Sequence, residues 1–247
     1  ARQIKATDKA RRLAPQARDI LIALEALCEE GNYEPSKDLA PVTIAGNFDG
    51  FYEVFSTVRA EFRSAAPNLT IRFRELGSYM NIEGTFDDGL SDIILCVRVQ
   101  QHPKSVAWET ILSDDIVCFY DPDFRSPITT IEDYVDAEHA VIDFGTSGTS
   151  IDQGTLNKYD VERKITNYAP SYAIQADLVR GTNLVMTMRK GYQHTIFSKL
   201  AWCEAPITFP KVNLDMVWHK RQGSSKRNQW IRQRITDSLT KLQPNDA

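Results

Sequence analysis

The segment Asp92–Val97, DIILCV, constrains the chain more than any other. Its five consecutive apolar residues leave no polar face, so a strand here must be covered on both sides, as in the middle of a parallel sheet. The preceding residues supply the rest of such a sheet. VTIA is a short apolar strand ending at Gly46. Asn47 or Asp49 can cap a following helix that places Phe51, Phe55, Val58 and Phe62 on one face. Pro67-Asn68 breaks that helix. LTIRFREL then alternates Ile71 and Phe73 with Arg72 and Arg74, as a strand does. Strand, helix, strand and buried strand in this order describe a βαβ unit in an open parallel sheet.

A second series follows. DDIVCFY, HAVIDFG, ERKITNYA, TNLVMTM and the run around Ile207-Thr208-Phe209 are strand candidates. Helical stretches lie after Thr149 and from Pro170-Ser171, where proline suits a first helical turn. LDMVWHKR returns as a strand, and a helix from about Ser225 carries Trp230, Ile231, Ile235, Leu239 and Leu242 on one face. The fold class is therefore α/β, with two lobes whose chain crosses between them twice and a cleft between them.

The N-terminal stretch differs from both series. Leu13, Ala17, Ile20, Leu24 and Leu27 recur at alternating spacings of four and three, a narrow seam that Gly31-Asn32 ends. A seam so narrow suits one partner helix; the alternative is a helix folded back on its own domain. YEPSKDLAP then reads as a linker.

Composition removes several functions. With 42% hydrophobic and 25% charged residues in 247, the chain is globular, and its net charge of -4 is not that of a domain built to grip phosphates. No apolar run is long enough to span a membrane, and the first residues carry no signal-peptide pattern. Cys28, Cys96, Cys118 and Cys203 form no C-x-x-C motif and read as four structural thiols in a reducing cytoplasm.

Catalytic patterns are missing: no G-x-S-x-G, H-E-x-x-H, Walker loop or G-x-G-x-x-G occurs. His102, His139, His194 and His219 are scattered, none with a second ligand at metal spacing, and no metal or cofactor is called for. His194, in a loop-rich stretch, is the most open to a role. Three loops instead follow strand ends, where open α/β sheets bind ligands. They are GNFDG (46–50), LGSYM (76–80), which offers Ser78 and Tyr79, and FGTSGTS (144–150), able to cradle a carboxylate. Glycines and hydroxyls also make ordinary turns and caps.

Several segments together resemble one family. RRLAPQARDILIAL, the VTIAGNFDGFYEVF…LTIRFREL stretch, and FDDGLSDIILCV with Gly89, Leu90 and Asp92 look like the start of the effector-binding domain of LysR-type transcriptional regulators. Trp218, His219, Arg221, Trp230, Ile231 and Arg232 are similar to that family's closing element, in the branch of nodulation-gene and aromatic-degradation regulators. The resemblance implies a fold like type 2 periplasmic binding proteins, with residues 1–31 as the end of a wing plus linker helix. Lobe 1 would comprise 40–109 and 212–247, and lobe 2 residues 110–211. It also implies a winged helix-turn-helix ahead of ARQIKATDKA that this chain lacks, so promoter DNA would be met only through that domain.

Carried over position by position, the inducer site would take Gly46, Asn47 and Phe48, Gly77 and Ser78, and Cys96, Val97 and Arg98 in the first lobe. In the second it would take Phe144, Gly145 and Thr146, Tyr168 and Pro170, and Pro206, Ile207 and Thr208. Asn47 and Ser78 would donate to an anionic or phenolic ligand, with Phe48, Phe144 and Tyr168 as aromatic walls. Arg98 would meet a carboxylate or form a salt bridge within its own lobe. The family's pairing of lobes implies a homodimer, and a homotetramer at full length. The helix bearing Phe51, Phe55, Val58, Arg59 and Phe62 would contribute from lobe 1. The expected function is inducer sensing that re-sets oligomer geometry and DNA binding. A solute-binding protein of the same fold, for uptake of a small anion, is the alternative, and an enzyme on these lobes would need a nucleophile and base that the sequence does not display.

Overall fold

The computed structural model describes residues 7–28, 33–46, 52–76, 81–98, 101–143 and 153–240. They form two compact units: the first takes the chain up to Gly46, Glu53–Ile111 and Asp215 onward, the second Leu112–Leu214.

The first unit begins with a long helix, α1 (Asp8–Cys28), whose first turn Thr7 caps through its hydroxyl, accepting from the Ala10 N–H at 3.1 Å. Next come β1 (Val42–Gly46), α2 (Tyr52–Ala65), β2 (Ile71–Glu75), α3 (Ile82–Asp87), β3 (Ile93–Val97) and β4 (Val106–Asp114). The late segments β10 (Val212–His219) and α7 (Lys226–Thr240) complete it. The sheet runs in the order β2-β1-β3-β10-β4, with β1 parallel to both β2 and β3.

Strand alternation explains how β3 is covered on both sides. Ile94 and Cys96 pack with Ala45, Ile82 and Phe86, Val106 and Val217 on one face. Ile93 and Leu95 point to the other and are equally buried. α2 turns Val58 and Phe62 inward at helical spacing, and Ala66 just past its end continues that face, each at most 2% exposed. Phe62 meets Trp230 of α7 edge-on at 5.3 Å, and Tyr33 reaches the same ring at 5.6 Å. Full burial of side chains such as Val58 and Phe62 contributes about 1.5–3 kcal/mol each.

The second unit contains β5 (Ile116–Tyr120), α4 (Ile131–Asp136), β6 (Glu138–Ile142), α5 (Gln153–Lys158), β7 (Lys164–Ala169), α6 (Tyr172–Val179), β8 (Val185–Arg189) and β9 (Ala201–Glu204). Its sheet order is β7-β6-β8-β5-β9, with β6 parallel to β7 and β8, and β5 antiparallel to β8 and β9. Both sheets follow one plan. Three strands from a βαβ series are joined by a fourth from another stretch of chain, β10 in one and β5 in the other. β5 shows the alternation again: Val117 and Phe119 pack with Ala176 and Val179 of α6, whereas Cys118 faces Tyr134 and Leu156.

Three expectations are corrected. Ile207-Thr208-Phe209 is not a strand. Pro206 and Pro210 bracket it, and Ile207 is instead a core residue, 3% exposed. The fifth strand of that sheet is the short β9, and β4 is a second unforeseen strand. α6 starts at Tyr172 with Ser171 as its cap, accepting from Ile174 N–H at 3.4 Å, so Pro170 precedes the helix.

The sequence elements that carry the family resemblance have structural duties within the first unit. Gly89 stands at φ 64, a conformation glycine adopts without strain. The Asp92 carboxylate accepts from Thr43 N–H at 2.7 Å and ties β3's start to β1; burial pushes its pKa up. Arg232 lies over the buried Trp218 ring at 4.0 Å. Arg221 donates to the Phe86 carbonyl at 2.9 Å, and its own N–H is accepted by His219 Nδ1 at 3.2 Å.

Candidate functional site

In the first unit the parallel strands end side by side. Gly46 is the register partner of both Glu75 and Leu95, so β1 and β2 finish at one level and β3 runs two residues further, to Val97. The Leu76 N–H donates to the Gly46 carbonyl at 2.9 Å and extends the ladder to the last residue before the next loop. Gly46 has to be glycine: an added Cβ would stand 2.5 Å from the Leu95 carbonyl oxygen. In the second unit Ile142 and Ala169 are likewise partners, and the Asp143 N–H continues the pairing to the Ala169 carbonyl at 2.9 Å. Every loop picked out from the sequence therefore leaves from the carboxyl end of a parallel strand.

Asn47, Phe48, Phe51, Gly77, Ser78, Phe144, Gly145 and Thr146 lie outside the described residues, as do the side chains of Phe55 and Leu27. The remaining expected site residues fall into two groups. Tyr168 is 64% exposed at the end of β7, Pro170 and Thr208 are exposed, and Pro206 and Val97 are half-buried. Ile207 and Cys96 turn into their own cores instead. Burial, with the nearby Asp215 carboxylate, pushes the Cys96 thiol up to about 12. Of the expected contact residues, Leu13, Ala17, Ile20 and Leu24 of α1 are exposed, Ile20 by 63%. Val58 and Phe62 are taken up by their own lobe, which leaves Arg59 on the outer side of α2.

Arg98 forms the salt bridge within its lobe. Its Nε and Nη2 donate to Asp215 Oδ2 and Oδ1, both at 3.1 Å, and its guanidinium lies 4.6 Å over the Trp108 ring. Thr110 Oγ1 donates to Asp215 at 3.0 Å, His102 Nε2 is 2.9 Å from the same carboxylate, and Arg98 Nη2 also contacts Thr110. Asp215 is fully buried. Burial alone would raise its pKa; the bonds from Arg98, His102 and Thr110 outweigh that and hold it below the ordinary value.

The second unit repeats the device. Arg189, at the end of β8, is bonded at 3.2 Å to Asp114 at the end of β4, and Gly191 N–H donates to the same oxygen at 2.9 Å. Its guanidinium lies 4.4 Å over Tyr192. In each sheet the arginine ends or follows the third strand of the βαβ series. In each, the acid sits on a strand that carries the chain from one unit to the other.

The other histidines are structural or at the surface. His139 is buried with Nε2 2.7 Å from the Tyr134 carbonyl, and His194 is exposed at the end of a 3-10 turn (Lys190–His194). A surface recess of about 440 Å³ in the second unit is lined by Arg125, Asp133, Asp136, Glu138 and Lys164. It opens at the starting ends of β6 and β7, away from the ligand-binding ends of parallel strands. Its Lys164 is already paired with Glu138 at 2.8 Å. Among the described residues no helix is long and apolar enough to cross a membrane.

Comparison with known proteins gives one family and one fold. The family model described as the LysR substrate binding domain matches residues 51–240. No curated protein matches the chain in sequence. The structure is similar to the regulatory domain of MexT, a transcriptional activator in Pseudomonas aeruginosa. That match has 18% identity and a TM-score of 0.71, and covers 81% of this chain and 98% of that one. A probable transcriptional regulator from the same organism gives 19% identity and a TM-score of 0.74 over 98% of this chain and 81% of its own. Full-length CbnR complexed with its target DNA gives 14% and 0.65 over 94% and 80%.

Proposed function

This chain belongs to the LysR substrate binding domain family, and from that premise we propose how it recognises its effector and assembles. It is the effector-binding domain of a LysR-type transcriptional regulator, not a solute-binding protein for uptake. The effector is a small aromatic or phenolic molecule, carboxylate-bearing or not, held by loops at the carboxyl ends of the parallel strands. The observation carrying this reading is the common level at which β1 and β2 end, at Gly46 and Glu75, beside the carboxyl end of β3, with the equivalent ends of β6 and β7 in the other sheet.

The polar contacts come from Asn47, Ser78 and Thr146, with Phe48, Phe144 and Tyr168 against the apolar part. Neutral donors fit this role because Arg98 and Arg189 are already engaged by Asp215 and Asp114. Binding selects one arrangement of the oligomer over another, with coupling of about 1–3 kcal/mol. The assembly is a homodimer or homotetramer through the α1 seam and the Arg59 side of α2. It works in the cytoplasm and meets promoter DNA through the regulator's winged helix-turn-helix.

Calorimetric titration with small aromatic carboxylates and phenols tests the site. A hydrogen bond to a charged group contributes about 1.5–3 kcal/mol, so Ser78→Ala or Thr146→Val should weaken binding roughly tenfold or more. Unchanged affinity in both variants would show these loops to be turns only.

A further inference from the structure

We propose that Cys118 and Cys203 are a reactive thiol pair, which hydrogen peroxide converts into a disulfide bridging β5 and β9. The proposal is independent of where the effector binds. Cys118 and Cys203 are direct register partners on adjacent antiparallel strands. Opposite residues there have Cα atoms about 4.5–5.5 Å apart, within the range a disulfide spans. Both are free, both belong to the same face of the sheet, and their thiols are hydrogen-bonded to each other.

The two sulfurs have different environments. Cys203 is half-buried on the edge strand, and Cys118 is fully buried one strand further in. The hydrogen bond with Cys118 is the largest influence lowering the Cys203 thiol to about 7. Burial opposes that fall, and so does Glu204; the Ile128 backbone hydrogen bond and the Arg125 guanidinium add to it. Cys118 is pushed the other way, by that same hydrogen bond and by burial, and stays protonated. One half-buried, ionisable nucleophile thus stands beside one protonated partner.

The chemistry balances with a peroxide as oxidant. The Cys203 thiolate attacks one peroxide oxygen, the O–O bond breaks, and the departing oxygen leaves as water after taking up a proton. Cys203 is then a sulfenic acid. The Cys118 sulfur attacks that sulfur, the S–S bond forms and the S–O bond breaks. The Cys118 proton leaves with the hydroxyl as a second water. Two thiols lose two electrons, and the peroxide is reduced to two waters.

The test uses the whole chain, reduced and then treated with hydrogen peroxide near one equivalent. Remaining thiols are blocked with iodoacetamide before digestion without reductant. The expected result is a linked peptide pair containing Cys118 and Cys203, removed by dithiothreitol, with Cys96 still alkylatable after unfolding. Dimedone should label Cys203 in Cys118→Ala, and Cys203→Ser should form no bridge. If either variant fails to fold, the wild-type peptide map decides alone. Both thiols left free, a bridge through Cys28 or Cys96, or irreversible oxidation of Cys203 without a bridge would each overturn the proposal.

Discussion

Arg98 grips Asp215 through two parallel hydrogen bonds of 3.1 Å, although the two residues lie 117 positions apart in the chain. The pair joins the end of β3 to the strand that brings the chain back into the first unit. Arg189 and Asp114 do the same work in the second unit.

Asp215→Asn should lower the unfolding free energy by about 1.5–3 kcal/mol, because the buried carboxylate's charge-assisted hydrogen bonds to Arg98 and Thr110 are lost or weakened. The midpoint of urea unfolding checks this. The Asp215 pKa is lower folded than unfolded, so the unfolded state takes up more protons between the two values. Its stabilisation is complete above the ordinary value of 3.8 and is lost as pH falls through the folded value. Wild type should therefore show an acid-dependent loss below about pH 4 that Asp215→Asn lacks.

Gly46→Ala should be costly for a residue that gains one methyl. The new carbon must be accommodated against the Leu95 backbone oxygen, which moves only if β3 moves. A loss of about 1–3 kcal/mol in chemical unfolding is expected. A change under half a kilocalorie would show that the two strands part easily there.

Phe62 and Arg59 are close on α2 but should behave differently. Phe62→Ala removes a fully buried ring packed on Trp230 and should cost about 3–5 kcal/mol. Arg59→Ala should leave stability within about 0.5 kcal/mol, and sedimentation equilibrium should show weaker self-association.

Replacing Ile20 and Leu24 by lysine should shift the chain toward monomer in sedimentation velocity. The unfolding midpoint of the dilute monomer should hardly move, because both side chains are already more than half exposed. A fall in monomer stability would show instead that α1 packs on its own lobe.

The parts of the fold that the sequence announces are those with a continuous or periodic apolar signal. β3, β5 and β10 are apolar runs, and α2 has its inward face at helical spacing. β4 escapes notice because only Val106 and Ile111 of its nine residues are buried, without a two-residue period. β9 has four residues, too few to show any period. Pairings across long separations leave no local trace, so Arg98 gives no hint of whether it binds ligand or Asp215. The one readable clue was Asp215 itself, a carboxylate inside the apolar run LDMV, where a charge must have a partner. Cys118 and Cys203 are adjacent only because β9 folds back on β5, and nothing in their spacing suggests it.

The self-satisfied arginines have a kinetic consequence. Each strand-end guanidinium shares its charge with a carboxylate at hydrogen-bond distance, so beyond a few ångströms the two fields cancel. An anionic effector is then drawn in by no long-range attraction from these positions. Its association rate should change little between dilute buffer and about 0.15 M salt, where the screening length is about 8 Å. Discrimination among effectors would then appear in how slowly each one leaves.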